Sequence, residues 1–227
     1  MSGKKMGGAG LRGQSAGETS ICTVGVTGSG LTYRGYDVVD LAENTTFEEV
    51  AYLLLHEKLP NSQELKDYIE KLKSLRGLQP ELRNTLECIP KTAHPMDVLR
   101  TGCSVLGNLE QEEDFLNQTD HADRMLSAFP SILSYWYQFS HFGKRIDTET
   151  NDDTIGGHFL NLLHGQKASE LHNKVMSISL ILYAEHEFNA STSRKGLRFY
   201  ALRYSFCCDN CYWNLTRAIT WRSKRSC

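Results

Sequence analysis

Apolar residues recur at helical spacing along most of the chain, and they predict a mostly helical protein. Residues 46–60, T-F-E-E-V-A-Y-L-L-L-H-E-K-L-P, give the clearest case. Thr46 is a residue type that caps helix N-termini, and Glu48 and Glu49 suit the positive first turn. Pro60 ends the pattern, so we expect a helix between Thr46 and Pro60.

The same plan recurs in the segments that follow. Residues 62–75 again place their apolar side chains on one face, and Gly77 follows as a stop signal. Residues 81–89 carry a shorter amphipathic pattern. A longer helix is predicted over residues 122–141, with a bend at Pro130. Its aromatic side chains are typical of a core or a subunit interface.

The N-terminal region departs from helical spacing. Residues 1–20 are rich in Gly, Ser and Ala and contain little to bury, so we interpret them as a mobile leader. From Ile21 to Tyr36, short alternating segments flank the turn-forming sequence T-G-S-G. This arrangement predicts a small β-hairpin ahead of the helices.

Two polar groupings could suggest a metal site, and both lack the spacing it needs. The acidic segment Asp147–Asp153 has neither the ligand spacing nor the loop glycine of an EF-hand, which favours a solvated loop. His158 and His164 are six residues apart and do not share a helix face, which argues against a zinc pair. We therefore expect no bound metal.

The most apolar segment runs from Val175 to Ala184 and predicts a helix buried on most sides. It leads directly into Glu185, His186, Glu187 and Asn189. Polar groups at the end of a core helix must be solvated, paired or used. His186 is therefore either a structural histidine or a neutral imidazole that donates a hydrogen bond at a pocket wall.

The sequence A-E-H-E-F-N-A-S-T, which contains His186, resembles a signature of the citrate synthase family, and within that family of the 2-methylcitrate synthases. L-T-Y-R-G-Y near the N-terminus, A-H-P-M-D before a helix and T-I-G-G-H-F-L-N-L-L-H-G later in the chain are similar to family patterns too. The resemblance covers residues 21–192. It implies an all-α, citrate synthase-like helical fold, truncated to the N-terminal part of the large domain, with the short N-terminal β-hairpin.

The resemblance assigns roles to few residues. It implies that His186 contacts oxaloacetate and that a basic residue on the helix over 62–75 assists substrate binding, for which Lys73 is the nearest match. The alternative for Lys73 is a solvated lysine on the polar face. For Arg34 we favour a surface ion pair. His94, before Pro95, is interpreted as a structural contact at a helix start, and Cys103 as a small buried apolar residue.

Charge divides the chain sharply. The net charge of −2 combines −9 in residues 1–192 with +7 in residues 193–227. One interpretation of this tail is a metal or redox site, because Cys208 and Cys211 form C-x-x-C, but zinc needs four ligands and the tail has no histidine. A second is a basic arm that binds nucleic acid. Neither explains the abrupt change.

The third interpretation, which we favour, is a slipped reading frame. Permissible codons for residues 215–225, read one base on, encode L-R-G-P-L-H-G-G-A-N, which resembles the family motif that carries one catalytic histidine. That histidine would span the codons of Thr220 and Trp221 and is neither residue here. The family's second catalytic histidine and catalytic aspartate would lie beyond residue 227. We therefore expect no intact catalytic residues and no synthase activity from this chain.

The family resemblance implies a C-acyltransferase that condenses propionyl-CoA with oxaloacetate and water to give 2-methylcitrate and CoA. Citrate synthase, using acetyl-CoA, is the enzyme alternative, and a non-catalytic helical chain that only associates is the alternative of another class. The coenzyme A thioester is a substrate, and no cofactor is expected. We further expect a cytoplasmic protein, a homodimer in the intact family, no nucleic acid or membrane partner, and aggregation where apolar faces lack their counterpart.

Overall fold

The computed structural model describes residues 19–25, 30–110 and 118–185. These residues form a mostly helical protein with a small sheet at its start. The strands are β1 (Cys22–Val24), β2 (Leu31–Tyr33) and β3 (Tyr36–Asp37). The helices are α1 (Val38–Asn44), α2 (Phe47–His56), α3 (Ser62–Ser74), α4 (Pro80–Glu87), α5 (Pro95–Leu109), α6 (Gln118–Phe142), α7 (Ile155–His164) and α8 (Glu170–Leu182).

The predicted hairpin is present and gains a third strand. β1 pairs with β2 and β2 with β3, both antiparallel, with Cys22 opposite Tyr33 and Tyr33 opposite Tyr36. The second connection is a tight turn in which Arg34 and Gly35 have φ of 48° and 89°. A glycine adopts this left-handed region at little cost. The third strand has two residues, too few for alternation to reveal it in the sequence.

Local signals predicted the start of α2 correctly, whereas α6 begins at Gln118 and not at the predicted residue 122. Thr46 caps α2 in a capping box with Glu49, and Asn61 caps α3 in a second box with Glu64. Each box satisfies amides that the first helical turn leaves unpaired. His94 caps α5, since its Nδ1 accepts from the amide of Met96 at 3.2 Å. The structural role expected for His94 is therefore confirmed.

Two apolar cores hold the helices together. The first lies mainly within the middle of the chain, where α4, α5 and α6 pack with Phe159 of α7. Cys103 belongs to it and is buried, as predicted. The aromatic residues Tyr135 and Trp136 of α6 are buried in this core, and Pro130 lies inside the helix. The second core joins the sheet, α1, α2 and α3 to Ile155 of α7 and to the end of α8.

The prediction that the Val175–Ala184 segment is buried on most sides is wrong for the described structure. Only Leu180 and Ile181 of α8 are buried. Leu171, Val175 and Leu182 are 69%, 54% and 46% exposed. They lie on one helix face and are named here the α8 stripe. Apolar composition predicted burial, but α8 packs on α1, α2 and α7 in a way that leaves this face exposed.

None of the helices in the described ranges combines the length and the apolar character that a membrane span requires. Residues 1–18 of the expected leader, the T-G-S-G turn apart from Gly30, and the tail of residues 193–227 lie outside the described residues. So do His186, Thr220 and Trp221.

Candidate functional site

The described chain ends one residue before His186, and the sheet fixes that end. Tyr33 of β2 is fully buried, and its hydroxyl donates to the carbonyl of Ile181 at 2.9 Å. The same oxygen accepts from the amide of Glu185 at 3.3 Å. On the neighbouring strand, the thiol of Cys22 donates to the Glu185 carboxylate at 3.7 Å. The residues that lead into His186 are therefore attached to β1 and β2.

Burial controls the ionisation of this tyrosine. It raises the pKa of Tyr33 to about 12, with the nearby charge of Glu185 acting in the same direction. The hydroxyl therefore keeps its proton at neutral pH and remains a donor to the Ile181 carbonyl. A charged phenolate at this position would be buried against a carboxylate, which is unfavourable.

Lys73 lies on α3 and is engaged by two carboxylates. Its ammonium lies 2.9 Å from Glu70 and 2.5 Å from Asp153 of the acidic segment. The hydrogen bond to Asp153 is the largest cause of a raised pKa of Lys73, and the hydrogen bond to Glu70 acts in the same direction. The side chain is only 19% exposed, although both partners are largely exposed. Lys73 is therefore partly covered and paired, and a substrate carboxylate would have to replace one of its partners.

A buried polar network lies between α3, α6 and α7. Arg76 is almost fully buried and donates to the carbonyl of Thr150 at 2.7 Å. The Thr150 hydroxyl contacts Nδ1 of His158 at 2.9 Å, and Nε2 of His158 contacts the Ser131 hydroxyl at 3.1 Å. Burial, reinforced by the charge of Arg76, lowers the pKa of His158 to about 3. The imidazole is therefore neutral and structural.

A second buried ionisable group sits at the start of α7. Glu48 of α2 is buried, and one of its carboxylate oxygens accepts from the amide of Ile155 at 2.8 Å. The other oxygen has no hydrogen-bond partner among the described residues. Burial raises the pKa of Glu48, while the Ile155 amide and the charge of Arg76 oppose this. Glu48 thus joins α2 to the N-terminus of α7.

The predictions about metals can be compared with these contacts. No cluster of three or more His, Cys, Asp or Glu residues that could hold a metal occurs within the described ranges. His158 is buried with both ring nitrogens in contact with hydroxyls, whereas His164 is exposed at the other end of α7. The two histidines do not form a pair. In the acidic segment, Asp152 accepts from the Asn161 amide at 2.7 Å.

Arg34 forms the predicted ion pair. Its guanidinium lies 3.1 Å from the carboxylate of Glu57 and also donates to the carbonyl of Leu54 at 3.1 Å. The arginine side chain is only 14% exposed, so it is more enclosed than a surface pair requires.

Sequence reasoning missed the Arg76, Glu48 and His158 network. The available signal was a charged residue next to a helix end and a histidine within an apolar helix.

The comparisons with known proteins cover most of the chain. The family model "Citrate synthase, C-terminal domain" matches residues 10–195. The chain is 69% identical over 189 residues to the 2-methylcitrate synthase of Shewanella oneidensis, covering 83% of this chain and 50% of that protein. It is 36% identical over 192 residues to 2-methylcitrate synthase 1 of Corynebacterium glutamicum, covering 81% of this chain and 50% of the relative.

Solved structures give the same fold. The chain matches citrate synthase from Thermotoga maritima with a TM-score of 0.70 and 32% identity, over 82% of this chain and 49% of that one. It matches citrate synthase from Thermoplasma acidophilum, in a ternary complex with carboxymethyl coenzyme A and oxaloacetate, with a TM-score of 0.73 and 25% identity over 80% and 48%. The chain spans about half the length of these relatives, and it belongs to the citrate synthase family.

Proposed function

We propose that this chain carries the oxaloacetate-binding part of a 2-methylcitrate synthase. The observation that supports this most strongly is the 69% identity over 189 residues to the Shewanella oneidensis enzyme of that name. In the proposed reaction, the α-carbon of propionyl-CoA loses a proton and forms a bond with the ketone carbon of oxaloacetate, whose oxygen takes up a proton and becomes a hydroxyl. Water then cleaves the thioester, which releases CoA and 2-methylcitrate.

His186 is the proposed oxaloacetate ligand. Its neutral imidazole would donate a hydrogen bond to the substrate and so polarise and orient it, which is distinct from removing the α-proton of the thioester. Lys73 is a second proposed substrate ligand, and its charge suits a dicarboxylate. Against this, Lys73 is held by Glu70 and Asp153, so a purely structural ion pair remains its alternative role.

We expect different outcomes for oxaloacetate binding and for catalytic turnover. We expect the chain to bind oxaloacetate weakly and to release no CoA, because the expected frame slip after Thr192 removes the family's catalytic histidines and aspartate. The binding test is calorimetric titration with oxaloacetate of the wild type and His186→Gln, with His172→Gln as the matched control. His172 is an exposed histidine on α8. Loss of the heat signal in His186→Gln alone supports the proposal.

The turnover test follows free CoA released from propionyl-CoA and oxaloacetate, with the Shewanella oneidensis enzyme as positive control. Clear turnover by the purified chain would show that the expected inactivity is wrong. Replacing propionyl-CoA with acetyl-CoA in the same assay separates the 2-methylcitrate synthase proposal from citrate synthase. Sequencing the gene across the codons for residues 192–196 tests the slip directly, since an open shifted frame would encode the rest of the family motif.

A non-catalytic chain that only associates is the second candidate function. The α8 stripe favours it, because three exposed apolar side chains on one helix face invite a partner. The occupant that we propose is a second copy of this chain, in keeping with the homodimer that the family resemblance implies. A cytoplasmic location, and the absence of nucleic acid and membrane partners, also stay predictions.

A further inference from the structure

A small cavity lies between α5 and α6, and side chains that can bind a soft metal ion line it. Its volume is about 20 Å³, which is room for one ion or one water molecule. The thiol-bearing Cys103 lines it from α5, and Met125 and His121 line it from α6. Thiolate and thioether sulfurs are the ligands that favour Cu(I) in proteins, and imidazole also suits copper.

The two helices place these three side chains next to one another. His121 and Met125 are four residues apart on α6, so they share a helix face. On the neighbouring α5, the sulfur of Cys103 lies 3.7 Å from the sulfur of Met125. A metal–sulfur bond is about 2.3 Å long, so one ion bonded to both sulfurs would make an S–metal–S angle of about 107°, which is close to tetrahedral.

The sulfurs are enclosed, but part of the cavity lining reaches the surface. Cys103 and Met125 are 2% and 5% exposed and belong to the first core. His121 and Gly107, which also line the cavity, are half-buried and give a cation a way in. Inside the core the effective dielectric constant is low, so the attraction between a cation and a thiolate is strong.

The charges around the cavity favour a monovalent ion. Glu110 lines the cavity too, but Nε of Arg124 lies 3.0 Å from both of its carboxylate oxygens. Glu110 and Arg124 therefore neutralise each other. Among the side chains that line the cavity, the thiolate of Cys103 is then the negative charge that a bound cation can pair with. A divalent ion would leave a net positive charge in the core, which is costly.

We propose that Cys103, Met125 and His121 form a binding site for one monovalent soft cation of the Cu(I) class. The Cys103 thiol releases its proton to solvent as the metal–sulfur bond forms, so one proton leaves for each ion bound and no electron is transferred. Met125 contributes a sulfur lone pair, and neutral His121 contributes the lone pair of a ring nitrogen. Because one of the three ligands is a methionine, this ligand set differs from a cluster of His, Cys, Asp and Glu residues.

The test measures Cu(I) binding under nitrogen, by competition with the chromogenic chelator bicinchoninate. Cysteines in the tail, which include a C-x-x-C sequence, would also bind Cu(I). The background is therefore the full chain with the substitutions Cys207→Ser, Cys208→Ser, Cys211→Ser and Cys227→Ser. Thermal melting checks that the background and each variant made in it are folded.

Three variants of this background each remove one ligand: Cys103→Ala, Met125→Leu and His121→Gln. Three others are matched controls: Cys22→Ala, Cys88→Ala and His172→Gln. Cys22 is 3% exposed and so is buried as deeply as Cys103, whereas Cys88 and His172 are exposed. The controls therefore separate this site from a buried thiol, an accessible thiol and an accessible imidazole elsewhere in the chain.

We expect one tightly bound Cu(I) per chain in the background. Cys103→Ala should weaken binding by at least about a hundredfold, and Met125→Leu and His121→Gln by about tenfold each, because loss of even an outer-shell partner costs about 10–100-fold. The controls should keep the affinity of the background. Cu(I) should also raise the melting temperature of the background and not that of Cys103→Ala, because the ion binds the folded state.

Unchanged affinity in Cys103→Ala would overturn the proposal. Loss of binding in Cys103→Ala with unchanged affinity in both Met125→Leu and His121→Gln would also overturn it, because that result describes a single thiol and not a three-ligand site. If Cys103→Ala does not fold, Met125→Leu decides, since it nearly conserves side-chain volume. Weaker binding in Met125→Leu then supports the site, and unchanged binding overturns it.

Discussion

The imidazole of His158 is enclosed between two hydroxyls, and its Nε2 lies 3.1 Å from the Oγ of Ser131 on the neighbouring helix. Thr150 contacts the other ring nitrogen at 2.9 Å. A neutral imidazole has one donor and one acceptor, so the two hydroxyls can satisfy both nitrogens without a proton from solvent. This arrangement links α6 to α7 through the His158 ring.

The buried His158 makes stability depend on pH. Its pKa is about 3 in the folded protein, against about 6.5 for an unperturbed histidine in the unfolded chain. Below pH 6.5 the histidine therefore binds a proton in the unfolded state but not in the folded state. As the pH is lowered, the free energy of unfolding falls by up to about 1.4 kcal/mol per pH unit. Urea denaturation between pH 7.5 and 4.5 should show this loss.

His158→Gln should reduce that slope, whatever its effect on stability at neutral pH. The exposed His172→Gln is the matched control and should keep the slope of the wild type. The comparison uses slopes because other groups also titrate in this range. Equal slopes for the wild type and His158→Gln would contradict the enclosed, neutral imidazole.

Glu48 should make stability depend on pH in the direction opposite to that of His158. Its carboxyl is neutral in both states well below its ordinary pKa of about 4.3, but the unfolded chain ionises first as pH rises because burial raises the folded pKa. The free energy of unfolding therefore falls as pH rises through this window. Glu48→Gln keeps an acceptor for the Ile155 amide and removes the dependence, so its advantage over the wild type should grow from pH 4 to pH 7.

Glu48→Ala separates the charge from the hydrogen bond. It leaves the buried Ile155 amide without its acceptor, which should lower the free energy of unfolding by about 2 kcal/mol at pH 4. Denaturant titrations at both pH values give the comparison. If Glu48→Gln and Glu48→Ala lose the same stability, the hydrogen bond to Ile155 is not what holds α7.

The close approach of α5 and α6 depends on Gly102. A Cβ at this position would lie 2.6 Å from Cγ2 of Ile132, which is a buried side chain of the first core. Gly102→Ala should therefore lower stability by about 1–3 kcal/mol despite the better helix propensity of alanine. Ser104→Ala, an exposed change on the same helix, should have little effect. A Gly102→Ala protein as stable as the wild type would show that the helices can separate freely.

The α8 stripe should drive association of the chain. Val175→Glu places a charge in the middle of the stripe, and we expect it to shift the chain from dimers or larger species towards monomer. Lys174→Gln, which changes the net charge equally at an exposed neighbouring position, should not. Light scattering after size-exclusion chromatography measures the mass. A monomeric wild type at micromolar concentrations would remove the support for a second copy on this face.

Sequence patterns predicted the features that depend on neighbouring residues. The capping residue Thr46, the stop after residues 62–75 and the role of His94 all follow from contacts within a few positions. Burial of Cys103 followed from its apolar surroundings. The fold was predicted from the family motifs, because local rules do not say how separate helices pack against one another.

The remaining features depend on contacts between distant segments. Glu48 meets Ile155 across 107 positions, and Arg76 meets Thr150 across 74, so neither pairing has a local signature. The exposure of α8 was mispredicted for the same reason, because composition does not say which neighbours cover a helix. Lys73 was proposed from a family pattern, and no pattern indicated its ion pair with Asp153.

The link between Tyr33 and Ile181 spans 148 positions and bears on how the chain is made. During synthesis, all residues of the first core leave the ribosome before Leu180 and Ile181 do. The helices around Phe129 can therefore assemble early, while the strands and α1 must wait for partners made near the end. Non-local contacts of this kind slow folding. The apolar residues of the N-terminal segment therefore stay exposed on the nascent chain until residues 180 and 181 are made, and binding by chaperones would protect them during that interval.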